Sequence, residues 1–163
     1  MLLCGAPSVE QSYQVQVANL GISERVRFVG HLEHNEVAQL LNASHVFVLP
    51  SFEEPFGLVL LEALACGCRV IAANQAGPAE FVPSELRVSK DALLIPGLGK
   101  VDPESNDAAR YEVALANAIN IQLQKPLSIH ERRRISATVA LLCWETYVDR
   151  LLSEYDRLLR NQD

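Results

Sequence analysis

Short apolar runs alternate with longer mixed segments along the chain, and this alternation is typical of repeated strand–helix units. The run VFVL is continuously apolar, as expected for a strand of a parallel sheet whose two faces are both covered. Five strands are predicted in this way, within MLLCG, ERVRFVGH, HVFVLP, CRVIAAN and ALLIP. The pattern predicts an α/β fold with a doubly wound parallel sheet, whose ligands bind beyond the carboxyl ends of the strands.

The segments between the strands carry helix start and stop residues. Asn35 opens an amphipathic segment, and glycines end two other segments at Gly21 and Gly67. The predicted helices are about 8–20, NEVAQLLNA, LVLLEALAC, 107–123 and one long helix over 128–160. Two turn-rich stretches, AGPAEFVP and PGLGKVDPESND, are predicted to be loops.

Length and composition indicate one globular domain, spanning residues 1–163. A net charge of −6 argues against nucleic acid as the main partner. No apolar run is long enough to span a bilayer, so we expect a cytoplasmic protein without a transmembrane segment.

Two clusters of reactive or charged residues are interpreted as structural. Cys66 and Cys68 flank a glycine, but a CxC pair lacks the further ligands of a zinc site, so we expect both to be small buried residues. The run ERRR at 131–134 is interpreted as a solvated helix face instead of a phosphate or lipid site, because the chain is acidic overall.

Loops that follow the predicted strands should converge at one edge of the sheet. Pro55 and Gly57 stand where a helix begins, and such a start offers backbone N–H groups and a helix dipole to an anion. Glu54, just before them, could cap the helix by accepting backbone hydrogen bonds, or it could act on a ligand. Local physics leaves these two alternatives open.

Glu62 is the only charged residue between Leu58 and Cys66. An unpaired buried carboxylate is costly, so its side chain must reach solvent, meet a protein donor, or accept hydrogen bonds from ligand hydroxyls. These three alternatives also remain open from the local sequence.

The segment from Val26 to Val82 resembles the donor-binding core of retaining GT-B glycosyltransferases, classified as family 4 and also called group 1. The signature is a pair of glutamates eight positions apart around Phe-Gly, here Glu54 and Glu62 in EPFGLVLLE, with PS before it and ALACG after it. The resemblance implies a Rossmann-like fold, the C-terminal half of a GT-B fold, with a long C-terminal helix.

The resemblance also implies roles for individual residues. Glu54, the candidate catalytic residue, would contact the hydroxyls of the transferred sugar, and Glu62 would accept hydrogen bonds from the ribose of the nucleotide. Leu32 would lie beside the base. The full set of expected donor-binding residues is Gly5, Leu32, Glu54, Phe56, Gly57, Leu58, Val59 and Glu62. The resemblance implies that no metal and no cofactor is needed beyond the nucleoside diphosphate sugar, which is the donor substrate.

The chain departs from the family in its cations. No Lys or Arg occurs from Phe28 to Cys68, although a diphosphate leaving group normally meets at least one cation. In the family these cations come from a segment upstream of the strand that is first here. We therefore expect a chain that lacks the N-terminal acceptor domain and the first part of the C-terminal domain. Its partner would be that acceptor domain or a separate subunit, and the absent half would make any contact with a membrane.

The sequence thus predicts the donor-binding domain of a retaining glycosyltransferase, of the hexosyltransferase type, that is incomplete or inactive by itself. The alternative is a non-catalytic nucleotide-sugar-binding or partner module of the same fold. Base, sugar and acceptor are not determined by these residues.

Overall fold

The computed structural model describes residues 1–5, 7–51, 54–97 and 106–160, without the side chains of 7–11, 144 and 147. The strands are β1 (Leu2–Cys4), β2 (Arg27–Gly30), β3 (Val46–Leu49), β4 (Arg69–Ala73) and β5 (Ala92–Ile95). The helices are α1 (Pro7–Asn19), α2 (His34–Ala43), α3 (Leu58–Ala65), α4 (Ala76–Phe81), α5 (Ser84–Val88), α6 (Asn106–Leu123), α7 (Ile129–Val139) and α8 (Trp144–Arg160). Two 3₁₀ turns, Ser23–Arg25 and Ala140–Leu142, complete the described elements.

The chain divides into two compact units, Met1–Leu40 and Leu41–Asp163. In the first unit, β1 and β2 pair in parallel, with Leu2 beside Arg27 and Cys4 beside Gly30. This two-stranded sheet is accompanied by α1, whose Val17 is buried.

The second unit holds a three-stranded parallel sheet in the order β3-β4-β5. Val46 of β3 pairs with Arg69, and Val70 of β4 pairs with Ala92. All residues of the central strand β4 are buried, as expected when helices cover both faces of a parallel sheet. The predicted α/β fold with parallel strands is therefore confirmed, with its strands divided between two sheets.

The core of the second unit lies between its sheet and the surrounding helices. Ile71 and Ile95 of the sheet pack with Tyr111 and Ala118 of α6. Helix α3 contacts β3, β4 and α7, and α5 contacts β5 and α7. This packing holds α3, and with it the candidate site, against the sheet.

Both predicted glycine stops are confirmed, and each has the same local geometry. Gly67 has φ +74°, its N–H donates to Leu64 O at 2.8 Å, and Cys68 N donates to Ala63 O at 2.9 Å. Gly21 has φ +65° and stands in the equivalent place after α1. This paired pattern is the Schellman motif, which satisfies the last helical carbonyls and favours glycine in the left-handed position.

The predicted single helix over 128–160 is wrong, because the chain breaks between α7 and α8 at the 3₁₀ turn and at Cys143, whose ψ is 156°. Ile135 and Val139 of α7 are buried, whereas Leu141 and Leu142 after them are exposed. The break therefore falls where tertiary packing ends, and no Gly or Pro marks it in the sequence. In the described part of the chain, these helices and the others are all too short or too polar to cross a membrane.

Candidate functional site

The carboxyl ends of β3, β4 and β5 are joined by the residues that follow each strand. Gln75 Nε2 donates to Ser51 O at 3.5 Å, and Asn74 N donates to Ile95 O at 2.7 Å. A Cβ at Gly97 would lie 2.3 Å from Gln75 Oε1, so the side chain of Gln75 also reaches the residues that follow β5. The three strand ends thus form one platform, as the fold class predicts for a ligand site.

Helix α4 lies against the loop that leads into α3. Gly77 N donates to Glu54 O at 3.2 Å, and a Cβ at Gly77 would lie 2.5 Å from Phe56 O. Ala76, the first residue of α4, has φ +43°, a strained conformation for a residue with a Cβ. At position 77 only glycine permits so close an approach of the backbone of α4 to the backbone of Phe56.

The prediction that AGPAEFVP is a loop is wrong for its first six residues, because Ala76–Phe81 is helical. A second short helix, Ser84–Val88, follows this segment. Pro78 stands in the first turn of α4, where the missing N–H costs no hydrogen bond. Gln75 and Gly77 lie in the segment after β4 that the sequence places at this edge of the sheet, but sequence reasoning does not single them out. The available signal is the Gly-Pro pair a few residues after a buried strand.

Glu54 is half-buried, and its Oε1 accepts a hydrogen bond from Gly57 N at 2.9 Å. The residue that caps α3 is Gly57 itself, at φ +67°, and not Glu54. The alternative that Glu54 accepts a backbone hydrogen bond is therefore confirmed, although Glu54 does not stand at the cap position. Its carboxylate accepts from the amide of the residue just before the helix. The backbone carbonyl of Glu54 accepts from Gly77 N, which places the residue beside the start of α4.

The first turn of α3 is open to solvent. Phe56 and Leu58 are each 64% exposed, and Leu60 N is already bonded to Gly57 O at 2.8 Å. Within the described residues, none accepts a hydrogen bond from Leu58 N or Val59 N, as expected at a helix start. Two backbone donors at the positive end of a helix can therefore bind an anion.

Glu62 stands one turn after Leu58 on the same face of α3. Its side chain is half-buried, and no side chain or amide in the described segments donates to its carboxylate. The carboxylate contributes, after burial, to a raised pKa of the Cys66 thiol. Of the three alternatives, a protein donor is thus excluded among the described residues. The carboxylate reaches solvent and is available to an external donor.

Gly5 and Leu32, the two expected donor-binding residues of the first unit, lie in the segments that follow β1 and β2. Gly5 is exposed, and its N–H donates to Gly30 O at 3.0 Å. Leu32 is half-buried in the turn after β2. Their roles in donor binding stay predictions.

Glu131, Arg132 and Arg134 of the ERRR run have partners in the fold, so the interpretation of a solvated face is wrong for these three residues, whereas Arg133 is exposed as expected. Glu131 bonds to Arg69 at 3.1 Å, Arg134 pairs with Asp91, and Arg132 donates to backbone carbonyls of Ser44 and Cys66. Hydrogen bonds from Ser128 hold the pKa of Glu131 below its ordinary value. Sequence reasoning missed this because the acceptors are distant along the chain.

The sequence matches the family Glycosyl transferases group 1 over residues 1–94. D-inositol 3-phosphate glycosyltransferase of Mycobacterium avium is 33% identical over 141 residues, which are 86% of this chain and 30% of that relative. The Streptomyces bingchenggensis protein of the same name is 40% identical over 85 residues, or 52% of this chain and 18% of the relative.

Solved structures show the same similarity. Sucrose-phosphate synthase from Thermosynechococcus elongatus superposes with a TM-score of 0.67 at 32% identity, covering 98% of this chain and 38% of that one. Anabaena HepE, solved in complex with UDP and glucose, superposes with a TM-score of 0.50 at 26% identity, covering 85% of this chain and 40% of that one. The chain spans well under half the length of the relatives that it matches. With its parallel α/β fold and a family match over more than half of its residues, the chain belongs to the glycosyl transferases group 1.

Proposed function

We propose that this chain is the donor-binding domain of a retaining, family 4 glycosyltransferase that takes a sugar from a nucleoside diphosphate sugar. The observation that carries the proposal is the pairing of two groups on one face of α3. The open N–H groups of Leu58 and Val59 suit a diphosphate, and the carboxylate of Glu62, one turn along, suits the two ribose hydroxyls. One ligand with both groups would satisfy both parts of the helix.

The sugar would lie at the platform beside Glu54, with the backbone around Phe56 and Gly57 against the sugar and the diphosphate. In the free domain Glu54 occupies the Gly57 N–H. A bound phosphate would take that N–H, and the released carboxylate would turn to the hydroxyls of the sugar. Glu54 would thereby keep a polar backbone group satisfied until the donor arrives.

The reaction would break the bond between the anomeric carbon and the diphosphate oxygen and form a bond to the acceptor oxygen with retained configuration. The acceptor proton would leave with the departing diphosphate. Such a site contributes orientation of the two substrates and stabilisation of charge on the leaving group. We propose that this requires no metal, with the helix N-terminus supplying part of the positive potential.

The acceptor and the missing cations would come from another domain or subunit. Four described arginines of the second unit bond within the fold, namely Arg69, Arg87, Arg132 and Arg134. The Mycobacterium avium relative is about three times as long as the part matched here, which leaves room in it for such a domain. By itself this chain is expected to bind donor and to transfer little or no sugar.

Calorimetric titration of the 163-residue chain with UDP, GDP and ADP, free and sugar-linked, tests the proposal. At least one of these is expected to bind, and to bind equally with 5 mM EDTA present. Glu62→Gln should weaken binding roughly tenfold, because a charged acceptor is replaced by a neutral one. Glu112→Gln, an equally sized change at an exposed site on α6, is the matched control and should leave binding unchanged.

Melting temperatures separate the outcomes. Glu62→Gln is expected to leave the melting temperature unchanged, since the described residues give its carboxylate no partner. Absence of heat with every nucleotide, together with a lowered melting temperature for Glu62→Gln, would show that this glutamate is structural. Glu54→Ala is expected to bind free UDP at least as tightly as the original chain and UDP-sugar more weakly.

A further inference from the structure

The first turn of α4 contacts the segment that carries Glu54 at three points. Gly77 N donates to the backbone carbonyl of Glu54 at 3.2 Å. The Cα of Gly77 faces the backbone of Phe56, since an added Cβ would lie 2.5 Å from Phe56 O and 2.7 Å from Phe56 Cα. The ring of Pro78 faces Gly57, where an added Cβ would lie 3.6 Å from the Cγ and Cδ of that proline. One helical turn thus contacts both ends of the segment 54–57.

Helix α4 is itself fixed to the rest of the second unit. Pro78 and Val82, in and directly after this helix, are each less than 2% exposed. Arg87 donates to Val82 O at 2.9 Å and to Ala79 O at 3.1 Å, so its guanidinium satisfies carbonyls at the end of α4. A helix of 6 residues has little stability of its own, and these tertiary contacts hold it in place.

The turn that leads into α4 is strained. Ala76 has φ +43°, a left-handed conformation that is unfavourable for a residue with a Cβ. Ala76 is exposed, so burial of its methyl group does not offset the cost. Gln75 N donates to Ala73 O at 2.9 Å, which closes a tight turn directly before it. Such strain persists where the surrounding structure imposes it, and here it directs Gly77 N–H at the carbonyl of Glu54.

We propose that the first turn of α4 positions Glu54 for the donor, with Gly77 and Pro78 as the positioning residues. This inference rests on the proposed function, in which Glu54 contacts the transferred sugar. The carboxylate of Glu54 bonds to Gly57 N in the free domain and would turn to the sugar hydroxyls when the donor binds. The contacts from α4 hold the backbone at both residues, so that the side chain alone makes this change. Loss of these contacts would move the carboxylate relative to the sugar and leave Glu62 in place.

Nucleotide affinity measured with and without the sugar tests this role, because the sugar is the part of the donor that Glu54 would contact. The probes are UDP, GDP and ADP, each free and linked to glucose, mannose or N-acetylglucosamine, titrated calorimetrically into the 163-residue chain. Gly77→Ala should push the backbone of Phe56 aside and lower the ratio of sugar-linked to free affinity roughly tenfold. Pro78→Ala removes the ring beside Gly57 without a clash and should lower the ratio less.

Gly67→Ala is the matched control, because it also places a Cβ against backbone, 2.7 Å from Arg132 O, but at the other end of α3. It should lower the melting temperature and keep the affinity ratio within about twofold of the wild-type value. A merely structural role of Gly77 would instead weaken free and sugar-linked nucleotides by the same factor.

Amide hydrogen exchange followed by NMR gives a measurement that needs no ligand. The Gly57 amide bonds to the Glu54 carboxylate, and its exchange is compared with that of Ala72 in the central strand β4. Gly77→Ala should speed exchange at Gly57 roughly tenfold relative to Ala72, because the displaced backbone breaks this bond. Gly67→Ala should leave the relative rate unchanged.

Three results would overturn the inference alone and leave the proposed function standing. They are an affinity ratio that neither Gly77→Ala nor Pro78→Ala changes, an equal fall of the ratio in Gly67→Ala, and a Gly57 amide that Gly77→Ala does not affect. A wild-type chain that binds no sugar-linked nucleotide would overturn the proposed function and this inference with it. A lowered ratio together with faster exchange at Gly57 would support the inference.

Discussion

Gly67, just after α3, lies against the backbone of α7, and its substitution tests how α3 and α7 pack. The residue has φ +74°, where a Cβ is strained, and a Cβ there would lie 2.7 Å from Arg132 O and 2.9 Å from Arg132 Cα. Both contacts are with backbone of α7 and cannot be relieved by turning a side chain. We therefore expect Gly67→Ala to force α7 away from α3.

The expected cost has two parts. The left-handed conformation costs a residue with a Cβ about 1–2 kcal/mol, and overpacking against a fixed backbone adds about 1–3 kcal/mol. The free energy of unfolding should fall by about 2–5 kcal/mol, which lowers the melting temperature by roughly 3 °C for each kcal/mol.

Gly57→Ala is the matched control, because it lies in the same unit and has φ +67°. Its added Cβ would meet Glu54 Cγ at 3.4 Å, an ordinary contact. It should lose only the conformational part, about 1–2 kcal/mol. Thermal and urea unfolding of both variants measures the difference. Equal losses in the two would refute the close approach of α3 and α7.

Three further changes test the charge and thiol chemistry of the second unit. Arg69 is 4% exposed, pairs with Asp91 and Glu131, and donates to two backbone carbonyls. Arg69→Met should therefore lower the free energy of unfolding by about 3–5 kcal/mol, measured in urea. Adding Asp91→Asn should recover part of that loss, and no recovery would contradict the ion-pair account. The lowered pKa of Glu131 contributes stability at neutral pH that disappears as the pH falls through that pKa. Glu131→Gln should therefore be about 1 kcal/mol less stable at pH 7, since the side chain is 37% exposed and screened. It should be as stable as the original chain once the pH lies below the lowered pKa, and a gap independent of pH would be the contrary result. Burial raises the pKa of Cys68 to about 11. At pH 8 a thiol reagent should therefore label the exposed cysteines within minutes and Cys68 only as fast as the chain unfolds. Rapid labelling of all the cysteines would show that the thiol of Cys68 is accessible.

Elements whose cause is local were predictable. The ends of α1 and α3 follow from Gly21 and Gly67, because a left-handed residue after a helix satisfies carbonyls of that same helix. The strands follow from short apolar runs between turn residues, since a strand buried on both faces has no polar positions. Glu62 indicated a ligand site on α3, because a lone charge in an apolar helix requires a polar partner or solvent.

The α4 helix, the break after α7 and the contacts of the ERRR run were not predictable in this way. Pro78 is compatible with a loop or with a first helical turn, and the contact of Gly77 with the loop before α3 decides between them. The arginines of the run find carbonyls and carboxylates that lie more than 40 residues away along the chain.

By itself, the sequence determined the order of strands and helices, the glycine stops and the presence of Glu54 and Glu62 beside a helix start. Those features depend on contacts within a few residues. Only the tertiary structure decided that no described residue donates to the carboxylate of Glu62, and that Arg132 and Arg134 bond to groups far along the chain. Whether a polar group has a partner depends on which distant segments fold against it, and a local pattern does not contain that information.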